Sequence, residues 1–239
     1  MIQVKICGIT NKKEIEYLNV LKPEYIGFVF VVSKRQVTGE KAKELCINLD
    51  KDIKKVGVFK DNSIDEILDV LGNVNLDVIQ LHGKEDEDFI NLLKKSMNKS
   101  IKIWKAISIK DIESMKKYIA RNKQLVGNEK QGDYLIDNFL IDGDNPGSGE
   151  AFSLENINEY FGEDYETGYV DDCIFKQSNF FLAGGITDEN VIERIAKANP
   201  SGVDVSSGVE IIDENGTRMK SFDKMKSLID KIRLKTVSS

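Results

Sequence analysis

Two turns built from small residues, late in the chain, could hold a phosphate group. Ala183-Gly184-Gly185-Ile186 follows one apolar run, and Val205-Ser206-Ser207-Gly208-Val209 follows the next. Small residues allow backbone N–H groups to approach an anion closely, and the N-terminus of a following helix adds positive potential. A single Gly-Gly turn could be an ordinary loop. Two such turns after successive apolar runs predict phosphate binding.

A thiol and a carboxylate each lie at the end of an apolar run. Cys7 ends the first run, in Lys5-Ile6-Cys7-Gly8-Ile9-Thr10, and we expect its side chain at the rim where the strands end. Asp142 ends Phe139-Leu140-Ile141-Asp142 and precedes a glycine-rich loop, which makes it a candidate general acid. A buried structural cysteine and a loop-capping aspartate are the alternatives. The similar Leu135-Ile136-Asp137 lacks such a loop, which favours Asp142.

Eight short apolar runs predict the strands that position these residues. Their nearly continuous hydrophobicity is typical of parallel strands buried on both faces. The predicted strands are Gln3–Ile6, Tyr25–Phe30, Lys55–Phe59, Asp77–Leu81, Lys102–Ile107, Asn138–Ile141, Asn179–Leu182 and Val203–Val205.

Helical patterns lie between the strands. Ile64, Ile67, Leu68 and Leu71 form one apolar stripe, and a second stripe contains Phe222, Met225, Leu228, Ile229 and Ile232. Asn11 with Glu14 resembles a capping box. Thr187, followed by Asp188 and Glu189, predicts another helix N-cap.

The alternation of strands and helices predicts an α/β fold, a single-domain (β/α)8 TIM barrel over residues 1–239. An open doubly wound sheet is the rival, but it usually places a phosphate turn early in the chain. In barrels, the turns after strands seven and eight commonly bind phosphate. Two longer stretches, near 117–137 and 162–178, are predicted surface insertions.

Arg35 and His82 are further polar residues at strand ends. Arg35 follows the second strand in Ser33-Lys34-Arg35 and could bind a carboxylate or phosphate bidentately, or form a solvated surface pair. His82 is the only histidine. Because strands one and four lie well apart around a barrel, we interpret His82 as a structural, hydrogen-bonded residue.

Composition narrows the class of protein. The chain has 239 residues, 34 Lys and Arg against 40 Asp and Glu, and a net charge of −6, which argues against a nucleic-acid partner. Cys7, Cys46 and Cys173 are too widely spaced to suggest a disulfide framework or a zinc site. We find no signal sequence and no run long enough for a membrane span, and we expect a cytoplasmic protein. The oligomeric state stays open, with a homodimer as one option.

The motifs, in this order, resemble the phosphoribosylanthranilate isomerase family of tryptophan biosynthesis. The matching stretches are KICGIT, GFVF with SKR, VGVF, VIQLHG, LID with a GSG loop, LAGGITDENV and GVDVSSGVE. They cover nearly the whole chain apart from the two insertions and a lengthened segment after Glu210.

The resemblance implies an Amadori rearrangement of N-(5-phosphoribosyl)anthranilate by acid–base catalysis, without metal or cofactor. It implies that Cys7 is the general base and Asp142 the general acid. Arg35 would face the anthranilate carboxylate and Asp204 the sugar hydroxyls. Gly184, Gly185, Ser206, Ser207 and Gly208 would hold the phosphate. A thiol has an ordinary pKa of about 8.5, so we expect the site to lower it.

Three departures from the family pattern concern the loops. Pro146 replaces the usual first glycine of a GGxG loop, Leu154 replaces a frequent tryptophan, and Gln36 replaces a common aromatic residue. They bear on loop closure and on packing of the anthranilate ring. Two other functions stay open, namely ring closure as in indole-glycerol-phosphate synthase, and a phosphate-binding barrel without turnover.

Overall fold

Eight parallel strands close into a barrel in sequence order, with β1 hydrogen-bonded to β8. The computed structural model describes residues 1–98, 100–128, 135–143, 154, 180–214 and 216–237. Each predicted strand is present, with bounds that differ from the prediction by one residue, and the rival open sheet is excluded. The strands are β1 Gln3–Cys7, β2 Tyr25–Val29, β3 Lys54–Phe59, β4 Val78–Leu81, β5 Lys102–Ser108, β6 Asn138–Asp142, β7 Phe180–Leu182 and β8 Gly202–Val205.

Helices surround the barrel, and a two-stranded antiparallel hairpin follows β8. The hairpin consists of β9, Glu210–Ile212, and β10, Arg218–Lys220. The described helices are α1 Lys12–Leu21, α2 Gly39–Cys46, α3 Ile64–Asn73, α4 Glu87–Ser96, α5 Ile112–Asn128, α6 Val191–Ala198 and α7 Phe222–Val237. Among the described residues, no helix combines the length and the apolar character that crossing a membrane requires.

The local signals for helix starts were right for α1 and wrong for α6. Asn11 and Glu14 form the predicted capping box, each side chain accepting a hydrogen bond from the other residue's backbone N–H. Thr187 does not cap α6, which begins at Val191. The Thr187 hydroxyl instead accepts from the Glu189 backbone N–H at 3.3 Å, within a turn. A threonine before two acidic residues therefore stabilises a turn here. The same hydroxyl-to-backbone hydrogen bond can form in a turn and at a helix N-cap, so the sequence pattern does not distinguish them.

The predicted insertions fall largely outside the described residues. Helix α5 continues to Asn128, so the first half of the 117–137 stretch belongs to the helical layer. The 162–178 stretch, including Cys173, lies outside the described residues, as do Pro146 and most of the loop after Asp142. The insertions and the single-domain boundary therefore stay predictions.

Alternate residues of each strand face two separate cores. One core lies between the strands and the helices and includes the predicted stripe of α7, with Met225, Leu228 and Ile229 buried. The other fills the barrel interior, where the rings of Tyr25, Trp104 and Phe181 have centroids 4.7 to 5.6 Å apart.

The interior changes from apolar to polar along the barrel axis. Ala183 follows Phe181 of β7 by two residues, and Asp142 follows Leu140 of β6 by two residues. Since side chains alternate faces along a strand, these pairs point the same way. The aromatic layer therefore closes one end of the barrel, and polar side chains collect at the other, where the strands end.

The aromatic layer should carry a large share of the stability. We expect Phe181→Ala to lower the free energy of unfolding by about 3–5 kcal/mol, because it leaves a cavity beside Trp104 and Tyr25. Urea unfolding followed by circular dichroism measures this. Leu92→Ala, on an exposed position of α4, is the control and should change it by about 0.5 kcal/mol or less. Equal effects of the two variants would contradict this assignment.

Candidate active site

One cavity of about 300 Å³ opens at the ends of the strands. Every residue that the sequence predicted for the site lines it: Cys7, Arg35, Asp142, Gly184, Gly185, Asp204, Ser206, Ser207 and Gly208. These residues come from five different strand ends or the loops after them. The C-terminal face of a barrel is where catalytic groups of such folds lie.

Cys7 is the last residue of β1 and points into the barrel, with 8% of its surface exposed. Its neighbour across the sheet is Gly27 of β2, and a Cβ atom there would lie 2.7 Å from the Cys7 sulfur. Glycine at this position therefore leaves the space that the thiol occupies. The Ser206 hydroxyl donates to the Cys7 backbone carbonyl at 3.0 Å, which ties the end of β1 to the turn after β8.

The expectation of a lowered thiol pKa is wrong for this site. Burial is the largest influence and raises the pKa of Cys7 above its ordinary value. The cations Lys5 and Lys220 act in the opposite direction, and Asp204 adds to the rise. Desolvation therefore exceeds the attraction of the nearby positive charges, and the thiol form predominates at neutral pH.

Asp142 ends β6 with its side chain largely buried. One carboxylate oxygen accepts from the Gly143 backbone N–H at 2.8 Å. The other lies 3.7 Å from Nε2 of His82. Asp137, the alternative carboxylate, lies before β6, where it accepts from the Ile103 backbone N–H at 2.8 Å and does not line the cavity.

His82 lies in the cavity wall rather than in a separate structural environment. Its Nδ1 is 3.1 Å from the Gln80 side-chain nitrogen, which confirms the predicted hydrogen bond. Its Nε2 has no hydrogen-bond partner among the described residues and is directed towards Asp142. The distance between strands one and four does not determine that between strands four and six, whose ends bring His82 and Asp142 together at the barrel mouth.

The two small-residue turns have the backbone geometry that the sequence suggested. Gly184 and Gly185 have φ angles of 78° and 60°, a region that favours glycine. A Cβ atom on Gly208 would lie 1.9 Å from the Ile186 carbonyl oxygen, so the second turn packs directly on the first. Asn190 secures the first turn by donating to the Gly185 carbonyl at 2.9 Å.

Arg35 is held by a carboxylate that the sequence analysis did not consider. Its Nε and one terminal nitrogen donate to the two oxygens of Glu210 at 2.6 and 2.9 Å. Arg218 and Lys220, both on β10, also contact Glu210, at 2.9 and 2.8 Å. A guanidinium has five N–H donors, so three remain on Arg35, which lines the cavity.

Four charged residues near the site escaped the sequence analysis, namely Lys5, Glu210, Arg218 and Lys220. Lys5 and Lys220 are among the largest fully buried side chains. For Lys5 a signal was available, because it stands two residues before Cys7 in a buried strand and must share its face. The others lie on a short hairpin that no sequence pattern indicated.

Two of the three departures from the family pattern, Gln36 and Leu154, fall within the described residues. Gln36 is exposed, and Leu154 is buried in the outer core. Val29, Val31, Val32 and Val58 give the cavity an apolar wall beside Arg35.

Comparisons with known proteins decide the family. The sequence model of N-(5'-phosphoribosyl)anthranilate (PRA) isomerase matches residues 4–231. The chain belongs to this family. It is 60% identical to N-(5'-phosphoribosyl)anthranilate isomerase of Clostridium beijerinckii over 233 residues, 98% of each chain.

Solved structures of the isomerase have the same fold. One, in complex with reduced 1-(o-carboxyphenylamino)-1-deoxyribulose 5-phosphate, has a TM-score of 0.72 at 27% identity and covers 98% of this chain and 99% of that one. Another contains monomers generated from the dimeric isomerase of Thermotoga maritima, with a TM-score of 0.71 at 28% identity and the same coverage.

The activity of the chain is therefore the isomerisation of phosphoribosylanthranilate in tryptophan biosynthesis. Membership of the isomerase family excludes the two other functions that the sequence left open. They were ring closure as in indole-glycerol-phosphate synthase and ligand binding without turnover.

The Glu210 cluster should make the stability of the isomerase depend on pH. Burial alone would raise the pKa of Glu210, but hydrogen bonds from Arg35, Lys220 and Arg218 and the charge of Lys220 lower it from 4.5 to about 2. A depressed carboxylate pKa stabilises the fold above about pH 4.5, and this contribution disappears as the pH falls towards 2. The shift corresponds to about 3 kcal/mol.

We therefore expect Glu210→Gln to lower the free energy of unfolding by about 3 kcal/mol at pH 7, and by much less at pH 3. Urea unfolding of both proteins at the two pH values measures the difference. Glu193→Gln removes an exposed carboxylate paired with Lys197 and should have little effect at either pH. A Glu210→Gln penalty that is the same at pH 3 and pH 7 would show that the charge of Glu210 is not what stabilises the cluster.

Proposed function

We propose that Cys7 and Asp142 are the general base and general acid of the isomerisation. The observation that carries this proposal is that both groups line one cavity, whose wall also contains the two glycine-containing turns. A sugar phosphate anchored on those turns would have its ring beside the ends of β1 and β6. Family membership identifies the reaction, and the shared cavity supports the roles of Cys7 as base and Asp142 as acid.

The proposed reaction begins with proton transfer from Asp142 to the ring oxygen. The bond between that oxygen and C1' breaks, and the anthranilate nitrogen forms a Schiff base with C1'. Cys7 then removes the proton from C2', and the electron pair of that bond forms the enolamine. Tautomerisation moves the hydroxyl proton of C2' to C1' and gives the ketone. One proton enters at oxygen and one leaves from carbon, so the two groups suffice.

We propose that Gly184, Gly185, Ser206, Ser207 and Gly208 bind the phosphate. Positive φ angles at the first two residues and the close packing of the two turns support this, because successive backbone N–H groups in such turns can form an anion-binding concavity. The arrangement explains how a chain of net charge −6 could bind an anion.

Arg35 and Asp204 are the proposed contacts to the rest of the substrate. Arg35 would bind the anthranilate carboxylate with donors that Glu210 leaves unused, and the valine wall beside it suits an aromatic ring. Asp204 has its side chain about one-tenth exposed towards the cavity and would accept from a sugar hydroxyl.

The assembly and the cellular location are also proposals. A homodimer is supported by the dimeric Thermotoga maritima relative, and a cytoplasmic location by the biosynthetic role of the family.

Loss of either catalytic group should lower kcat without unfolding the enzyme. We expect Cys7→Ala and Asp142→Asn each to reduce kcat by about 10²–10⁴-fold, the usual contribution of a positioned acid or base. The loss of anthranilate fluorescence during turnover measures kcat, and circular dichroism confirms folding.

Matched controls for these variants exist on the same chain. Cys46→Ala removes a half-buried thiol on α2, and Asp137→Asn changes the carboxylate before β6; both should retain wild-type kcat. Wild-type turnover by folded Cys7→Ala or Asp142→Asn would overturn the corresponding role.

The Arg35 contact can be tested with a substrate that lacks the ring carboxylate. We expect Arg35→Lys to raise KM for phosphoribosylanthranilate by roughly 10- to 100-fold, because an ammonium cannot replace the two-pronged contact. For the phosphoribosyl derivative of aniline, wild type and variant should have similar KM values. Lys34→Met, at the exposed neighbouring position, is the control. An equal loss with both substrates would assign Arg35 to structure alone.

A further inference from the structure

Lys5 is a buried charge beside the reactive thiol, and the reaction described above gives it no role. It lies in β1 two residues before Cys7, and its side chain is fully buried. Residues i and i+2 of a strand face the same side. The ammonium group therefore lies inside the barrel, on the side of the sheet from which Cys7 faces the cavity.

Asp204 holds the ammonium group in place. Its Nζ lies 2.9 Å from a carboxylate oxygen of Asp204, the residue that pairs with Lys5 in the β1–β8 ladder. Its positive charge also acts on the Cys7 thiol, which lies two residues further along the same face of β1. Since the position of Lys5 is set by its strand and by Asp204, the barrel itself fixes the ammonium group on the side of the sheet that Cys7 faces.

The fold alone does not explain a lysine at this position. Replacing a buried ion pair by apolar residues of similar volume is often neutral or stabilising, because desolvation of two charges offsets their attraction. A buried cation on the same face of the strand as a reactive thiol has a second consequence, which is to stabilise negative charge on the sulfur.

Within the described part of the chain, charged groups from three strands and one loop act on the sulfur. They are Lys5 on β1, Asp204 on β8, Lys220 on β10 and Arg35 in the loop after β2. Lys5 has the largest favourable influence, followed by the opposing influence of Asp204 and then that of Lys220. Burial alone would lower the pKa of Lys5, but Asp204 and Cys7 raise it above its ordinary value, so Lys5 stays protonated.

We propose that Lys5 is a positioning residue for Cys7, whose ammonium group, oriented by Asp204, stabilises the thiolate that removes the C2' proton. This inference rests on the proposed role of Cys7 as the base. Burial protects the thiol from solvent at the cost of a raised pKa, and Lys5 limits that rise. The enzyme thereby retains a usable fraction of thiolate in a desolvated cavity.

Alkylation of Cys7 by iodoacetamide measures the thiolate directly, without turnover. The rate is followed from pH 7 to pH 10 by mass spectrometry of the peptide that contains Cys7. Because a nearby opposite charge shifts a pKa by about 1–3 units, Lys5→Met should slow alkylation at pH 8 by roughly 10- to 1000-fold. It should lower kcat similarly, with little change in KM.

Two further variants make the result decisive. Lys105→Met removes another buried lysine, paired with Glu85 at 2.8 Å, and should leave Cys7 alkylation at the wild-type rate. If Lys5→Met does not fold, the double variant Lys5→Met/Asp204→Asn removes both charges of the pair. It should still alkylate more slowly than wild type, because Lys5 influences the thiol more strongly than Asp204 does.

An alkylation rate in folded Lys5→Met, or in the double variant, that equals or exceeds that of wild type would overturn the inference. That result is distinct from failure of the proposed function. Activity surviving in Cys7→Ala would show that Cys7 is not the base. Unchanged Cys7 alkylation in Lys5→Met, together with an inactive Cys7→Ala, would show only that Lys5 does not assist Cys7.

Discussion

Pairing of the first strand with the eighth is the constraint on which the site depends. The ladder between β1 and β8 closes the barrel and brings Lys5 opposite Asp204, 199 residues later in the chain. The same closure places Cys7 beside the turn after β8, where the Ser206 hydroxyl binds the Cys7 carbonyl. A thiol from the start of the chain and a phosphate turn from its end thus face one cavity because the sheet has no free edge.

Burial raises the pKa of both Cys7 and Glu210, but the net shifts of the two groups are opposite. Around Cys7 it disfavours the charged form, so the pKa of the thiol rises despite the nearby cations. Around Glu210 the hydrogen bonds from Arg35, Arg218 and Lys220 and the charge of Lys220 outweigh burial, and the pKa of the carboxyl falls. The difference lies in direct contact, because Glu210 accepts hydrogen bonds from all three cations at 2.6 to 2.9 Å.

Much of the fold was predictable because strand positions and helix stripes are local patterns. The residues lining the cavity were also predictable, since every strand of a parallel barrel ends at the same face. The interactions that the sequence did not reveal join distant segments. Arg35 meets Glu210 across 175 positions and Lys220 meets Glu14 across 206. The prediction that Thr187 caps a helix was wrong for the opposite reason, because the local hydrogen bond of Thr187 can form in a turn as well as at a helix N-cap.

The central claim is that a thiol and a carboxylate act on the same sugar from two sides. A crystal structure of this chain with the reduced product analogue bound tests it most directly. We expect the Cys7 sulfur within about 3.5 Å of C2' and an Asp142 oxygen within about 3.2 Å of the sugar oxygen released on ring opening, with the phosphate on the turns after β7 and β8. An analogue bound with either group directed away from the sugar would contradict the account.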